Sequence, residues 1–220
     1  MRVQHVLDSF DEAAIENEGK LNNAHKRMEE LELTASAMFD RIVKAGLAPA
    51  DSIEVERSQA VARRVEAVAE KALEDGSLTM EMLFDQDYKE VSGTNPQLYR
   101  TTLSDWADKN WRPIFDEFVA GGGAVKMCSC NDMNGFLPTH VTDHSRKPTG
   151  DLAYDTKHCR NGRIIQEGCD LVAKASTDPY TMAVYRQEGD GKEYQVVRNV
   201  YVPLVINGRR WGDFELAYVL

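Results

Sequence analysis

The strongest constraint on this chain is a four-three spacing of apolar residues through its first 46 positions. They recur at Val3, Leu7, Phe10, Ala14, Leu21, Ala24, Met28, Leu31, Ala35, Met38 and Ile42. Such spacing draws one narrow stripe along a helix, and that stripe is stable when a second helix covers it. Asn17 falls on the stripe, where a polar side chain can fix register and oligomer state. Glu12, Glu16, Glu18, Lys20, Lys26, Arg27, Glu29 and Glu30 flank it. The pattern lasts about six heptads. Gly46 and Pro49 then stop the helix. Residues 1–46 are therefore read as a long coiled-coil helix that dimerises or docks on another helical protein. The alternative is a helix packed on its own domain.

Residues 47–220 form the second unit. Asp51 or Ser52 can cap a helix carrying Val61, Val65, Val68 and Ala72, which Gly76 ends. A short helix and an irregular segment with Gly93, Asn95 and Pro96 follow. A further helix from about Tyr99 carries Trp106, Trp111, Phe115 and Phe118, with Pro113 as a kink. These aromatics read as core. Gly121, Gly122 and Gly123 read as a hinge.

Beyond the glycines the pattern turns to strands. AVKMCSCND and GFLPTHV read as two strands, and a polar loop with short helices reaches about Ala175. YTMAVYRQ, EYQVVRNVYVPLVI and WGDFELAYVL read as a three-strand meander joined by DGK and NGRR turns. Helices, two strands, an excursion and a meander predict an α+β fold. Its antiparallel sheet is of five-stranded type with helices on a face, as in Cache and PAS sensor folds.

Charge and composition narrow the function. Lys and Arg total 26 against 36 Asp and Glu, a net charge of −10. This disfavours nucleic acid, whose phosphates need a basic surface. No stretch approaches the roughly 20 apolar residues of a membrane helix, and the N-terminus has no signal core. A cytoplasmic protein with reduced thiols is expected. Phosphate loops, dinucleotide fingerprints, the nucleophile elbow, HExxH and paired CxxC are absent.

Polar chemistry concentrates between Asn131 and Arg163. His140 and His144 are four apart, a metal-binding spacing on a helix, but Pro138 argues against a helix there. His140, His158 and Cys159 are the candidate metal ligands, for zinc or haem, neither cofactor being favoured. A reactive Cys159 with a histidine base is a further alternative, which would make the chain an enzyme. Arg160, Arg163, Arg186 and Arg198 offer planar guanidinium forks to a small anion, or to structural carboxylates.

The boxes NDMNGFLPTH, CRNGRI, AVYRQEGDG and VPLVINGRRWGDFELAY, in that order, resemble a domain at the C-terminal end of some bacterial methyl-accepting chemotaxis proteins. LFDQDYKEVSGTNPQLY resembles the segment preceding that domain. The resemblance runs from about Leu47 to the end. It implies a non-catalytic Cache- or PAS-like sensor of chemotaxis signalling that binds a small molecule. The ligand-binding residues carried onto the matched boxes are His140, Arg160, Asn161, Tyr185 and Arg186. Arg210 stands where the pattern has His, Glu215 where it has Arg, and Val141 where it has Asn. Cys169 and Asp170 depart from it as well. The helical hairpin through which chemoreceptors contact their kinase is missing, so the expected protein is a stand-alone sensor or an excised receptor part. Its expected partners are a small-molecule ligand, a second copy of the chain and a helical signalling protein.

Overall fold

The computed structural model describes the backbone of residues 2–121, 125–188 and 194–220, with side chains for all of these except 2–12, 186–188 and 194. The heptad segment forms α1 (Arg2–Lys44), and Gly46 turns the chain away at a φ of +73°. α2 (Pro49–Asp75) starts with proline in its first turn, where a missing N–H costs nothing, and ends on left-handed Gly76. Its N-cap is Ala48, so the expected cap at Asp51 or Ser52 gives way to a start a few residues earlier. Asp51 is buried inside the first turn instead. It accepts hydrogen bonds from Arg198 Nη1 (2.9 Å) and Tyr218 Oη (2.7 Å) of the sheet.

α3 (Met80–Leu83) is capped by the Thr79 hydroxyl. The segment expected to be irregular contains a small hairpin, β1 (Lys89–Val91) with β2 (Leu98–Arg100). The aromatic helix divides at Trp111 into α4 (Ser104–Asn110) and α5 (Arg112–Ala120), with Pro113 in the first turn of α5. Trp111 is fully buried, lies edge-on to Trp106 and Trp211 (5.3 and 5.1 Å between ring centres), and donates from Nε1 to Val65 O at 3.1 Å. Pairing its polar edge removes the cost of burying it.

The main sheet has four antiparallel strands: β3 (Val125–Asp132), β4 (Thr181–Glu188), β5 (Tyr194–Ile206) and β6 (Arg209–Tyr218), in the order β3-β6-β5-β4. GFLPTHV does not add a fifth strand. It contributes isolated bridges, Ser129 to His140 and Phe136 to Ile164. Asn207 and Gly208 both take positive φ (50° and 75°), the primed turn that suits the twist of a hairpin. The DGK turn and most of the glycine hinge lie outside the described residues.

Strand alternation sorts the sheet into two unlike faces. Cys128, Cys130, Val200, Val202, Leu204, Phe214, Leu216 and Tyr218 enter the main core with α2, α4 and α5. Met127, Ser129, Asn131, Asn199, Tyr201 and Glu215 point the other way, beneath the long excursion between β3 and β4. That excursion carries α6 (Leu152–His158) and α7 (Gly168–Ala175).

α1 is two-sided. Ser36 Oγ donates to Val184 O (3.0 Å) and accepts from Val184 N (3.1 Å), while Asp40 accepts from Met182 N (2.9 Å). These bonds tie the last turns of α1 to the edge strand β4. On the opposite side Leu21, Met28, Leu31, Met38 and Ile42 are 70, 54, 68, 60 and 43% exposed. Every one of them belongs to the heptad stripe.

Candidate functional site

A pocket lies on the face of the sheet away from the core. Met127, Ser129 and Asn131 from β3, Glu215 from β6, Asn199 and Tyr201 from β5 and Tyr185 from β4 line it. Leu137, Arg160, Ile165, Glu167 and Asp170 of the excursion cover it. Its internal volume is about 30 Å³, room for one or two water molecules at roughly 10–15 Å³ each.

Register explains how distant residues meet. Glu215 lies opposite Ser129 on β3 and opposite Tyr201 on β5, and Asn199 lies opposite Ala217 on β6. All point to one face because side chains alternate along a strand. The roof is positioned by two local devices. Gly162 holds a φ of +86°, and a Cβ there would come within 2.6 Å of Tyr99 O, so glycine lets the turn after α6 dock on β2 and carry Arg160 over the sheet. At α7, Glu167 and Asp170 form a capping box: each side chain accepts the other's backbone N–H. The box fixes both carboxylates at the pocket wall.

Polar groups here are left unpaired in a way buried groups rarely are. Ser129 Oγ, Asn199 Oδ1 and Arg160 Nε are buried without a hydrogen-bond partner among the described residues. Among the described residues Arg160 Nη1 reaches only the Met127 thioether, at 3.5 Å. Asn199 Nδ2 donates to Glu215 Oε1 (2.5 Å) and to Tyr201 Oη (3.1 Å), and Tyr201 in turn donates to Cys169 Sγ (3.4 Å). Burial, then the neighbouring Asp170 and Glu167, lift the Glu215 carboxyl to about 8, against the opposing pull of Arg160 and Lys174. Burial also pushes the Tyr185 and Tyr201 phenols up. Beside the pocket, Lys174 pairs with Asn131 Oδ1 and with Asp213 (3.2 Å).

Of the residues carried over from the resemblance, Arg160 and Tyr185 line the pocket. Asn161 points elsewhere, donating to Asp108 Oδ1 (3.2 Å), which also pairs with Arg112 and Arg100. His140 is fully buried outside the lining. Its Nδ1 accepts from Val141 N (2.9 Å), which leaves the proton on Nε2. The Arg186 side chain lies outside the described residues. Ser129, Asn131, Asn199, Tyr201 and Glu215 were not singled out as ligands by sequence reasoning. Strand alternation is the available signal: Ser129 and Asn131 on β3, Asn199 and Tyr201 on β5 and Glu215 on β6 alternate with residues that enter the core. In the sequence Glu215 stands out only as a departure from the chemoreceptor pattern.

The metal and nucleophile alternatives find little geometric support. His140 and His144 stack with ring centres 5.0 Å apart and planes within 12°, and His158 stands edge-on to His144 at 6.4 Å. In-plane lone pairs of stacked rings run side by side and do not converge on one ion. Among the described residues no group of three His, Cys, Asp or Glu is disposed to hold a metal. Burial, with Arg160 nearby, keeps His140 neutral, and His144 falls to about 4. Cys159 is buried with its Sγ against Asp155 Oδ1 (3.6 Å). Burial and that carboxylate raise the thiol, the opposite of what an activated nucleophile needs.

No family model matches the chain, and no curated protein matches it. Among solved structures it is similar to the sensory domain of the Campylobacter jejuni chemoreceptor Tlp3 with isoleucine bound, at 11% identity over 86% of this chain and 60% of that one, TM-score 0.39. The ligand-binding domain of the same receptor with 4-methylisoleucine gives 11% identity, 87% and 60% coverage and a TM-score of 0.41. An extracellular ligand binding receptor from Desulfohalobium retbaense gives 11%, 75% and 25% coverage and 0.33. The chain thus spans about 60% of the Tlp3 domains and a quarter of the last. At these scores the likeness carries no functional argument. The α+β class rests on the strands and helices described above, and no described helix is long and apolar enough to cross a membrane.

Proposed function

We propose that this chain is a non-catalytic sensor module of the bacterial chemotaxis type. It binds a small molecule in the pocket beneath the sheet, pairs with a second copy through the α1 stripe, and reports occupancy along α1 to a helical partner in the cytoplasm. The observation that carries this reading is the pocket itself, whose lining residues from β3, β5 and the excursion hold three buried polar atoms with no partner among the described residues. Burying an unpaired polar group costs about 1–3 kcal/mol, and a ligand that supplies the missing bonds recovers that cost.

The route from pocket to helix is short. Tyr185 lines the pocket and follows Val184, which is doubly bonded to Ser36 of α1. On the other side, Leu33 of α1 packs on Gly168 at the start of α7, between the pocket carboxylates Glu167 and Asp170. The pocket is small as it stands, so a ligand must move β4 or α7, and both touch α1. Such movement signals because the ligand prefers one arrangement of these elements over another. Four unpaired thiols, three of them buried, agree with a reducing compartment. The chemoreceptor-like sequence boxes supply the signalling context.

Native mass spectrometry of the purified protein tests the reading. The expected species is a dimer carrying a small organic mass that is absent from the Arg160→Ala variant. A wild-type protein that shows no bound mass and gains no thermal stability from any member of a broad metabolite library refutes it.

A further inference from the structure

We propose that the pocket takes a small molecule bearing a primary ammonium group, held by Glu215 and the free amide oxygen of Asn199, with an oxygen acceptor at its other end for Arg160. This rests on the reading of the pocket as a ligand site. The lining holds three carboxylates, Glu167, Asp170 and Glu215, against one guanidinium. Among the described residues no ion pair joins Arg160 to any of them, although all four face the same void. A molecule with a cationic and an oxygen-bearing end spans that gap.

The unpartnered atoms fit these two ends. Asn199 is 1% exposed, and its Oδ1 is a pure acceptor with nothing to accept from among the described residues. Its amide orientation is set by Nδ2 donating to Glu215 Oε1 and to Tyr201 Oη, whose own proton goes to Cys169 Sγ. Arg160 Nε is a pure donor with nothing to donate to among the described residues. Ser129 Oγ, fully buried in the same lining, can serve either role.

The charged and titratable groups around Glu215 leave the cationic place open. Asp170 and Glu167 at the head of α7 repel it, with Cys169 and the Tyr185 and Tyr201 phenols close by. Lys174 is committed to Asp213 and Asn131, and Arg160 acts on Glu215 through space but makes no ion pair with it among the described residues. With its carboxyl lifted to about 8, Glu215 holds a proton in the empty pocket at neutral pH. An ammonium takes that proton's place, so one proton leaves for each ligand that binds.

Calorimetry on the full chain, with three two-carbon probes matched in size, tests this: ethanolamine, ethylene glycol and glycolate. Ethanolamine is expected to bind in preference to the other two. Its affinity should rise by about tenfold per pH unit from 6 to 8 and then flatten, with one proton released. Glu215→Gln keeps the fold and the shape of the group, and should lose both the pH slope and at least about tenfold in affinity. Unchanged ethanolamine binding in that variant overturns the proposal. Glycolate binding that exceeds ethanolamine's and disappears in Arg160→Ala also overturns it, but leaves the ligand pocket standing. Failure of all three probes on the wild type overturns the ammonium assignment, and the ligand-site reading falls with it only when the metabolite library also gives no binding.

Discussion

Glu215→Gln should make the protein more stable at neutral pH, and the gain should depend on pH in a defined way. In the folded chain burial, Asp170 and Glu167 raise this carboxyl from 4.5 to about 8. The folded chain therefore binds the proton more tightly than the unfolded chain. The stabilisation that this confers is complete below pH 4.5 and is lost as the pH climbs through 8. Each unit corresponds to about 1.4 kcal/mol, so the wild type should lose on the order of 3 kcal/mol through this group between pH 4.5 and 7. Glutamine resembles the protonated acid and keeps a carbonyl oxygen for Asn199 Nδ2, so it avoids the loss. Urea unfolding of both proteins at half-unit steps from pH 4.5 to 8.5 measures it. The two stabilities should nearly coincide at the acid end and diverge steadily towards pH 8. A difference that is flat with pH, or one in which the wild type gains, refutes the account of the pocket's electrostatics. The outcome also bears on function, because a carboxylate held at such cost next to unpaired donors and acceptors is a common mark of a functional site.

Two further predictions concern α1. Replacing Leu21 and Met28 by Asp should convert a dimer to a monomer in light scattering without lowering the melting temperature of the α+β domain, since both side chains lie on the exposed stripe; a monomeric wild type, or a variant that stays dimeric, refutes the assignment. Ser36→Ala removes both bonds to Val184 and should cost about 1–3 kcal/mol, with faster amide exchange at Val184; exchange that does not change means that α1 does not hold the edge strand.

Much of the fold is legible locally. The heptad stripe forms a helix, Gly76 ends α2, Asn207-Gly208 makes the hairpin turn, and the three strands of the meander lie close to where alternating apolar residues placed them. Departures occur where distant contacts outweigh local preference. Asp51 has the chemistry of a cap, yet it is drawn into the helix by Arg198 and Tyr218, partners far along the chain. GFLPTHV has strand character, but its polar bonds go to β3 and to the turn after α6 through single bridges. The site was legible only in part. Arg160 and Tyr185 stand in recognisable boxes and Glu215 at a departure from one, whereas Asn199 reads as an ordinary polar position on a strand.

The sequence alone determined the periodicities: the two long helices, the three strands of the meander, the turns at Gly76 and Asn207-Gly208, and the apolar stripe along α1. These follow from the geometry of the backbone within a few residues. Tertiary structure decided which face of the sheet meets the helices and which is roofed by the excursion. It also decided the strand order that sets Ser129, Glu215 and Tyr201 in one row. Register and layering depend on packing summed over the whole core, and a one-residue slip would turn the same side chains to the opposite face. The pocket with its charges therefore exists only once the four strands are aligned.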